Sequence, residues 1–341
     1  MKTIILILTI GYVALQSSFA KPQPRYHFYD LGTLPGGTVS QAIKINNRNE
    51  IVGVSETADG RIHAFIWSDG VMQDLGVQPG ATESNAYDIN DNGQIIGSFP
   101  NAYSGAPPIV APIGYQIAGV VALNNKGALV GKLISDVDSR ILSSAYIYEN
   151  SSLTLLPPLS FGGSAEAMDI NNLGEVVGIS EAAQNQTHPV MWSDGIATDL
   201  RTFPGLAMSQ PTGINDLSHI CGVAEVALTN QLGGYIGNFT HACLLRDGYV
   251  HDLGTLSGAE NSNAYAVNNF DEVIGICVTK DGVQTALFLY SGGTMYDLGP
   301  LIAPQHRWNY ILPSDINDNG WIVGMTDRHA FLLKPVDKQK N

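Results

Sequence analysis

The side chains of this 341-residue chain that are best suited to chemistry come in sets. His63, His188, His241 and His329 each head a short apolar run, as in His63-Ala64-Phe65-Ile66-Trp67 and His329-Ala330-Phe331-Leu332-Leu333. An imidazole can ligate a metal or carry a proton near neutral pH. A metal site needs ligands that converge on one point, and four equivalent positions in separate repeats stay apart. The reading that follows is structural: each imidazole bonds a backbone group or a carboxylate within its own repeat. Asp30, Asp74, Asp252 and Asp297, each within Asp-Leu-Gly, recur in the same way and read as turn or cross-strand scaffold. Three carboxylates break the pattern. Asp88, Asp169 and Asp315 stand two residues before a recurrent Asn, where the other repeats carry Lys44, Ala122, Gly213 and Ala266. Together they would suit a hard cation such as Ca²⁺. The favoured expectation is plainer: each accepts hydrogen bonds from turn amides, and no metal is assigned.

What positions these residues is a repeat. Ile45-Asn46-Asn47-Arg48-Asn49-Glu50-Ile51-Val52-Gly53 returns as Ile89-Asn90-Asp91-Asn92-Gly93-Gln94-Ile95-Ile96-Gly97, and again around Asn124, Asn171, Asn215, Asn268 and Asn317. Successive Asn residues are 44, 34, 47, 44, 53 and 49 positions apart, the length of a four-stranded propeller blade. Each unit parses into strands a to d. Strand a runs into the Ile-Asn pair, and an Asn/Asp/Gly turn follows, where a side chain can bond its own backbone and Gly tolerates positive φ. Strand b is the Ile-Val-Gly segment, and strand c follows the histidine. Asp69-Gly70, Asp194-Gly195 and Asp247-Gly248 signal tight hairpins into strand d, which ends in Asp-Leu-Gly. The second unit, roughly residues 77–118, has Ala106-Pro107-Pro108 in place of His-Ala-Phe.

These motifs recur in fixed order over residues 26–333 and resemble those of the bacterial HAF family of extracellular repeat proteins. The resemblance implies export and a repeat architecture, and it carries no catalytic residues onto this chain. The phase of the repeat adds a closure. Residues 26–32 read as a strand d with no strand a before it, and the chain stops after the last strand c at residues 329–333. Pairing the two removes both open edges. The expected fold is therefore all-β: a seven-bladed β-propeller of four-stranded antiparallel blades, closed by pairing of the N-terminal strand with the last blade.

The a–b and c–d turns are short and uniform, whereas the b–c and d–a loops vary and share the opposite face. Variable loops on a rigid scaffold are where binding concentrates. The longest b–c loop, residues 225–240, carries Tyr235; the last d–a loop carries His306, Arg307, Trp308 and Tyr310. That cation and those aromatics could stack on a sugar or grip an anion, or the Trp could simply plug the seam. Gln41, Asn85, Glu166, Gln210 and Asn263, just ahead of strand a, complete the ligand-binding candidates as a polar channel rim. The function read from this is an exported, monomeric, non-enzymatic binding module for a protein or glycan. The alternative is a glycan-directed hydrolase or lyase using Glu83, Glu166 or Glu260 at the mouth, which requires carboxylates about 5–10 Å apart. No nucleophile or phosphate-loop motif occurs, and no catalytic residue or cofactor is assigned.

Residues 1–20 read as a signal peptide: Lys2, an apolar run from Ile4, and small residues up to Ala20. Residues 21–335 follow as one propeller domain and 336–341 as a polar tail, with no membrane insertion after cleavage and a secreted or periplasmic location. Beyond residue 20 there are 16 basic against 31 acidic residues. That balance argues against nucleic acid, whose phosphates need cationic side chains. Cys221, Cys243 and Cys277 cannot all pair internally; one Cys221–Cys243 bridge is the less favoured alternative to buried free thiols.

Overall fold

The computed structural model describes residues 24–100, 102–103, 109–137, 140–229, 235–301 and 311–336. The signal-peptide region, Ala106-Pro107-Pro108, the tail from 337, and His306, Arg307, Trp308 and Tyr310 lie outside them.

Every element of the described fold that builds a sheet is a strand. β1 (Tyr26–Gly32) precedes the first repeat, which comprises β2 (Ser40–Ile45), β3 (Ile51–Glu56), β4 (Ile62–Ser68) and β5 (Val71–Asp74). The second contributes β6 (Ala86–Ile89) and β7 (Ile95–Gly97). The third holds β8 (Gln116–Leu123), β9 (Leu129–Val137), β10 (Arg140–Glu149) and β11 (Ser152–Leu155). The fourth holds β12 (Ala165–Ile170), β13 (Val176–Glu181), β14 (Thr187–Ser193) and β15 (Ile196–Asp199). The fifth holds β16 (Ala207–Ile214), β17 (Ile220–Thr229), β18 (Tyr235–Arg246) and β19 (Tyr249–Gly254). The sixth holds β20 (Asn261–Val267), β21 (Val273–Val278), β22 (Gln284–Ser291) and β23 (Thr294–Asp297). The seventh holds β24 (Ile311–Ile316), β25 (Ile322–Thr326) and β26 (Ala330–Pro335).

These strands form a propeller with four-stranded antiparallel blades, five of them simple meanders. The expected count needs correction. Six sheets have four strands, and the second repeat supplies a two-stranded sheet, β6–β7, among the described residues. In the sequence the strand-c signature of this repeat is replaced by Ala106-Pro107-Pro108, and proline has no N–H to give to a ladder; those three residues lie outside the described ones. The sheet of the seventh repeat has the order β1-β26-β25-β24, with Phe28 opposite Leu333 and Tyr26 opposite Pro335.

One turn explains the recurrent Asn. The Oδ1 of Asn215 accepts the amides of Leu217 and His219, both at 3.0 Å, which holds the chain between strands a and b in a tight turn. The fourth turn residue takes positive φ in every repeat (Asn49, Gly93, Gly127, Gly174, Ser218, Asp271 and Gly320), so Gly, Asn and Asp gather there. The other end of the same amide joins neighbours. Asn46 donates from Nδ2 to the carbonyl of Asn90, Asn90 to Asn124, Asn124 to Asn171 and Asn171 to Asn215. The chain of bonds continues to Asn268 and Asn317, and Asn317 donates back to Asn46 at 2.9 Å.

The glycine of strand b answers a second constraint. A Cβ on Gly275 would lie 2.0 Å from the Asn263 carbonyl oxygen and 2.6 Å from the Phe288 ring. The ring from strand c thus packs directly over backbone, and Phe65, Tyr146, Phe288 and Phe331 are all fully buried. Core also forms between blades, where Val130 and Ala145 of the third repeat pack with Ile170, Val190 and Trp192 of the fourth. Cys221, Cys243 and Cys277 are free and buried in this core. Cys221 faces Leu244 and Cys243 faces Gly222, a register that does not put the two cysteines opposite each other.

Two measurements follow. Asn215→Ala removes two inter-repeat bonds, to the Asn268 carbonyl and to Asp271, and two turn bonds, and should cost about 2–4 kcal/mol in urea unfolding; a loss below about 0.5 kcal/mol would show that the ring is incidental. Burial pushes the Cys221 thiol up to about 12 and raises the other two. All three should therefore resist a thiol reagent in the native protein and react only once urea unfolds it.

Candidate functional site

The propeller axis is lined by strand a, and a bulge decides what points into it. In every repeat the a–b register skips one residue, between Ala42 and Lys44 in the first and between Ala86 and Asp88 in the second. A bulge re-aims the residue after it. Lys44, Asp88, Asp169, Gly213, Ala266 and Asp315 consequently line one channel of about 170 Å³.

The three carboxylates accept backbone amides, as the plainer expectation held, but from strand-a residues and not from the turns, and each links two repeats. Asp88 accepts the Ile89 amide at 2.8 Å and, from the third repeat, the Leu123 amide at 2.9 Å. Asp169 accepts Ile170 and, from the fifth repeat, Ile214, both at 2.9 Å. Asp315 accepts Ile45 of the first repeat at 3.0 Å. Lys44 stands between two of these repeats, its Nζ 3.7 Å from Asp315 Oδ1. Burial pushes Asp88 up to about 7 against the pull of Lys44 and the Leu123 amide, and it raises Asp169 and Asp315 as well. Asp315, with help from Asp169 and Asp88, raises Lys44 above its ordinary value despite burial. The channel thus carries its own tethered cation. Among the described residues no group of three or more His, Cys, Asp or Glu side chains is placed to hold a metal ion.

The channel mouth on the turn face has a second ring, which the sequence reading missed. The residue after each Asn donates its backbone N–H to the side chain of its counterpart one repeat on. Asn47 donates to Asp91 at 2.7 Å, Asn172 to Asp216 at 2.8 Å, and Asp318 back to Asn47 at 2.8 Å. Asn amides also reach the carboxylates, as from Asn125 to Asp91 and from Asn269 to Asp318. The signal was present in the sequence: only Asn or Asp fills this slot in all seven repeats.

The histidines sit at the outer edge. Nδ1 of His63, His188, His241 and His329 lies 2.9, 2.7, 2.9 and 3.0 Å from Asp74, Asp199, Asp252 and Asp30. Three of these pairs are eleven residues apart, a spacing that marks the motif in advance. The Asp then accepts an amide two residues on, as Asp252 does from Gly254 at 2.7 Å. Burial opposes the charge on Asp252, but the His241 and Gly254 bonds outweigh it and hold that carboxyl below its usual range. These are struts between strands c and d.

On the opposite, loop-bearing face, the rim candidates Gln41, Asn85, Glu166, Gln210 and Asn263 occupy equivalent places in five repeats, each with its backbone carbonyl against a strand-b glycine. They are spread round the face. Glu166 lines a hollow of about 530 Å³ with Glu181, Ser164 and Thr187. It also pairs across the third and fourth repeats with Lys132 Nζ at 3.2 Å. Tyr235 opens β18, opposite Thr229. Glu83, Glu166 and Glu260 belong to the second, fourth and sixth repeats, so no two are neighbours in the ring.

No family model matches the chain, and no curated protein matches it. Among solved structures it is similar to a gluconolactonase from Xanthomonas campestris (11% identity, 92% of this chain and 95% of that one, TM-score 0.41). It is also similar to a puromycin-hydrolyzing peptidase of Mycobacterium tuberculosis (12%, 93% and 55%, TM-score 0.49) and to the β-propeller domain of the Trilobed protease from Pyrococcus furiosus (10%, 89% and 86%, TM-score 0.41). The chain spans about half the length of the peptidase.

The channel charges carry a pH prediction. A carboxyl whose pKa is raised on folding, as Asp88 is to about 7, contributes stability that is full below about pH 4 and is lost as pH climbs through about 7. Lys44→Met lifts all three carboxyls further. Its stability deficit should be larger at about pH 7.5 than at about pH 5, by at least about 1 kcal/mol. Equal deficits at both would mean that Lys44 acts through packing alone.

Proposed function

We propose that this protein is an exported, non-enzymatic binding module of the HAF repeat type, its seven repeats closed into a ring by β1, with the ligand received on the b–c and d–a loop face. One observation supports this reading above others: four described carboxylates on that face, Glu56, Glu166, Glu181 and Glu260, are committed to structural partners. Glu56 accepts the amide and hydroxyl of Thr38, Glu181 accepts the Ser164 amide at 3.1 Å, and Glu260 accepts the Lys280 amide at 2.9 Å. Glu166 is held by Lys132. A general acid or base needs a carboxyl that can reach substrate in the right protonation state, and one already saturated by amides or an ammonium is better suited to holding a loop. No described helix is long and apolar enough to cross a membrane.

A second reading has its own support. Glu166 and Glu181 line the same hollow, and two carboxyls in one cleft are what a glycan hydrolase or lyase requires. The experiment separates the two. The full chain is applied to a glycan array and to a panel of immobilised extracellular proteins, then incubated with soluble polysaccharides under a reducing-end assay. Retention without product formation is the expected result. Sugar release that disappears in Glu166→Gln would overturn the binding reading in favour of the enzyme.

A further inference from the structure

The second position after each ring Asn sits at the tip of an a–b turn and is exposed in all seven repeats. Going round the turn face, it is filled by Arg48, Asn92, Lys126, Leu173, Leu217, Phe270 and Asn319. Four of these are polar or cationic, as a solvated tip should be. The other three are large apolar residues in three consecutive repeats. Leu173 is 58%, Leu217 54% and Phe270 69% exposed. Their adjacency is fixed by the bonds beneath them, since Asn172 donates to Asp216 and Asp216 to Asn269, both at 2.8 Å.

The c–d turns of the same repeats emerge at the same end of their sheets, because Trp192 pairs with Val176 and Leu245 with Ile220. They add Ile196 and Tyr249, 68% and 46% exposed. The apolar arc then runs into a cleft of about 570 Å³ at the seam of the sixth and seventh repeats. Phe270, Tyr296 and Tyr26 form its aromatic wall, and its charged lining is two carboxylates, Glu272 and Asp318, against one cation, Arg25. Single exposed apolar residues need no explanation, but a contiguous set does.

We propose that this arc and cleft form a docking surface, separate from the loop face, for a basic amphipathic polypeptide segment with apolar side chains on one face and Lys or Arg on the other. Charge selects this occupant. The turns carrying the arc hold Glu175, Asp194, Asp216, Asp247, Asp271 and Glu272, against Arg246 as their one Lys or Arg. Apolar anchors would seat on Leu217 and Phe270 and in the cleft, while flanking cations answer the carboxylates, which steers association and fixes register. A second copy would bring Asp194 and Asp247 against their own kind in a chain of net charge −14. Anionic lipid meets the same repulsion.

The test uses the full chain and synthetic amphipathic peptides of roughly five helical turns with leucine on one face and either lysine or glutamate on the other. Anisotropy should show binding of the Leu/Lys peptide only, weakened by added salt. Leu217→Ser and Phe270→Ser should each weaken it about tenfold or more, Asp194→Asn with Asp247→Asn should weaken it at low salt, and Val283→Ser on the loop face should change nothing. Thermal melts identify any variant that fails to fold, and the Asp pair, in turns that accept Asn, keeps the test open if an apolar variant fails. The proposal falls if both peptides bind alike, if neither binds, or if Phe270→Ser binds as well as the parent. It falls equally if Phe270→Ser abolishes self-association or binding to phosphatidylserine vesicles, because the surface then belongs to a second copy or to lipid.

Discussion

The seven-repeat ring depends on the divided loyalty of one primary amide. An Asn side chain has an acceptor end and a donor end, and in each repeat the acceptor end folds the a–b turn while the donor end reaches the next repeat. Folding the turn and docking the neighbour are therefore the same event. Asp at this position could fold the turn but has no N–H to donate, and Gln would place the amide one methylene too far out. Buried as they are, these amides would be costly if left unpaired, so each repeat requires the next.

That arrangement fills the centre of the molecule. The bulge on strand a turns Lys44 and three Asp residues inwards, yet their charges face one another and the backbone of adjoining repeats. The ring of residues 47, 91, 125, 172, 216, 269 and 318 alternates amide and carboxylate as far as an odd number allows, leaving Asn125 beside Asn172 as its like pair. Polar groups near the axis are thus consumed by assembly. What remains for recognition is the perimeter of each face: loops on one side and turn tips on the other.

The repeat, the four-strand parse and the scaffold roles of histidine and the Asp-Leu-Gly carboxylate were legible because each rests on local chemistry that recurs. The eleven-residue spacing of His63 and Asp74 could have been read as a pair. That the second repeat shows two strands among its described residues was not legible, since Ile89 and Gly97 carry the full signature of strands a and b. The partners of Asp88, Asp169 and Asp315 were beyond reach because they lie in the adjoining repeat, whose register follows only from the bulge. The turn-tip slot escaped for another reason. Leu173, Leu217 and Phe270 look like ordinary loop variation until the ring sets them side by side.

The outermost strand of the last sheet is the first strand of the fold: Asp30 meets His329 at a separation of 299 residues. Contacts of such long range are made late. On the ribosome, β1 emerges long before β26 and must stay without that partner until β26 has been made, with Tyr26 and Phe28 wet meanwhile. An exposed apolar strand is an invitation to mispairing. A holding chaperone that keeps the nascent chain single until its last strand appears would relieve that hazard, and a chain cut short before residue 329 would never be free of it.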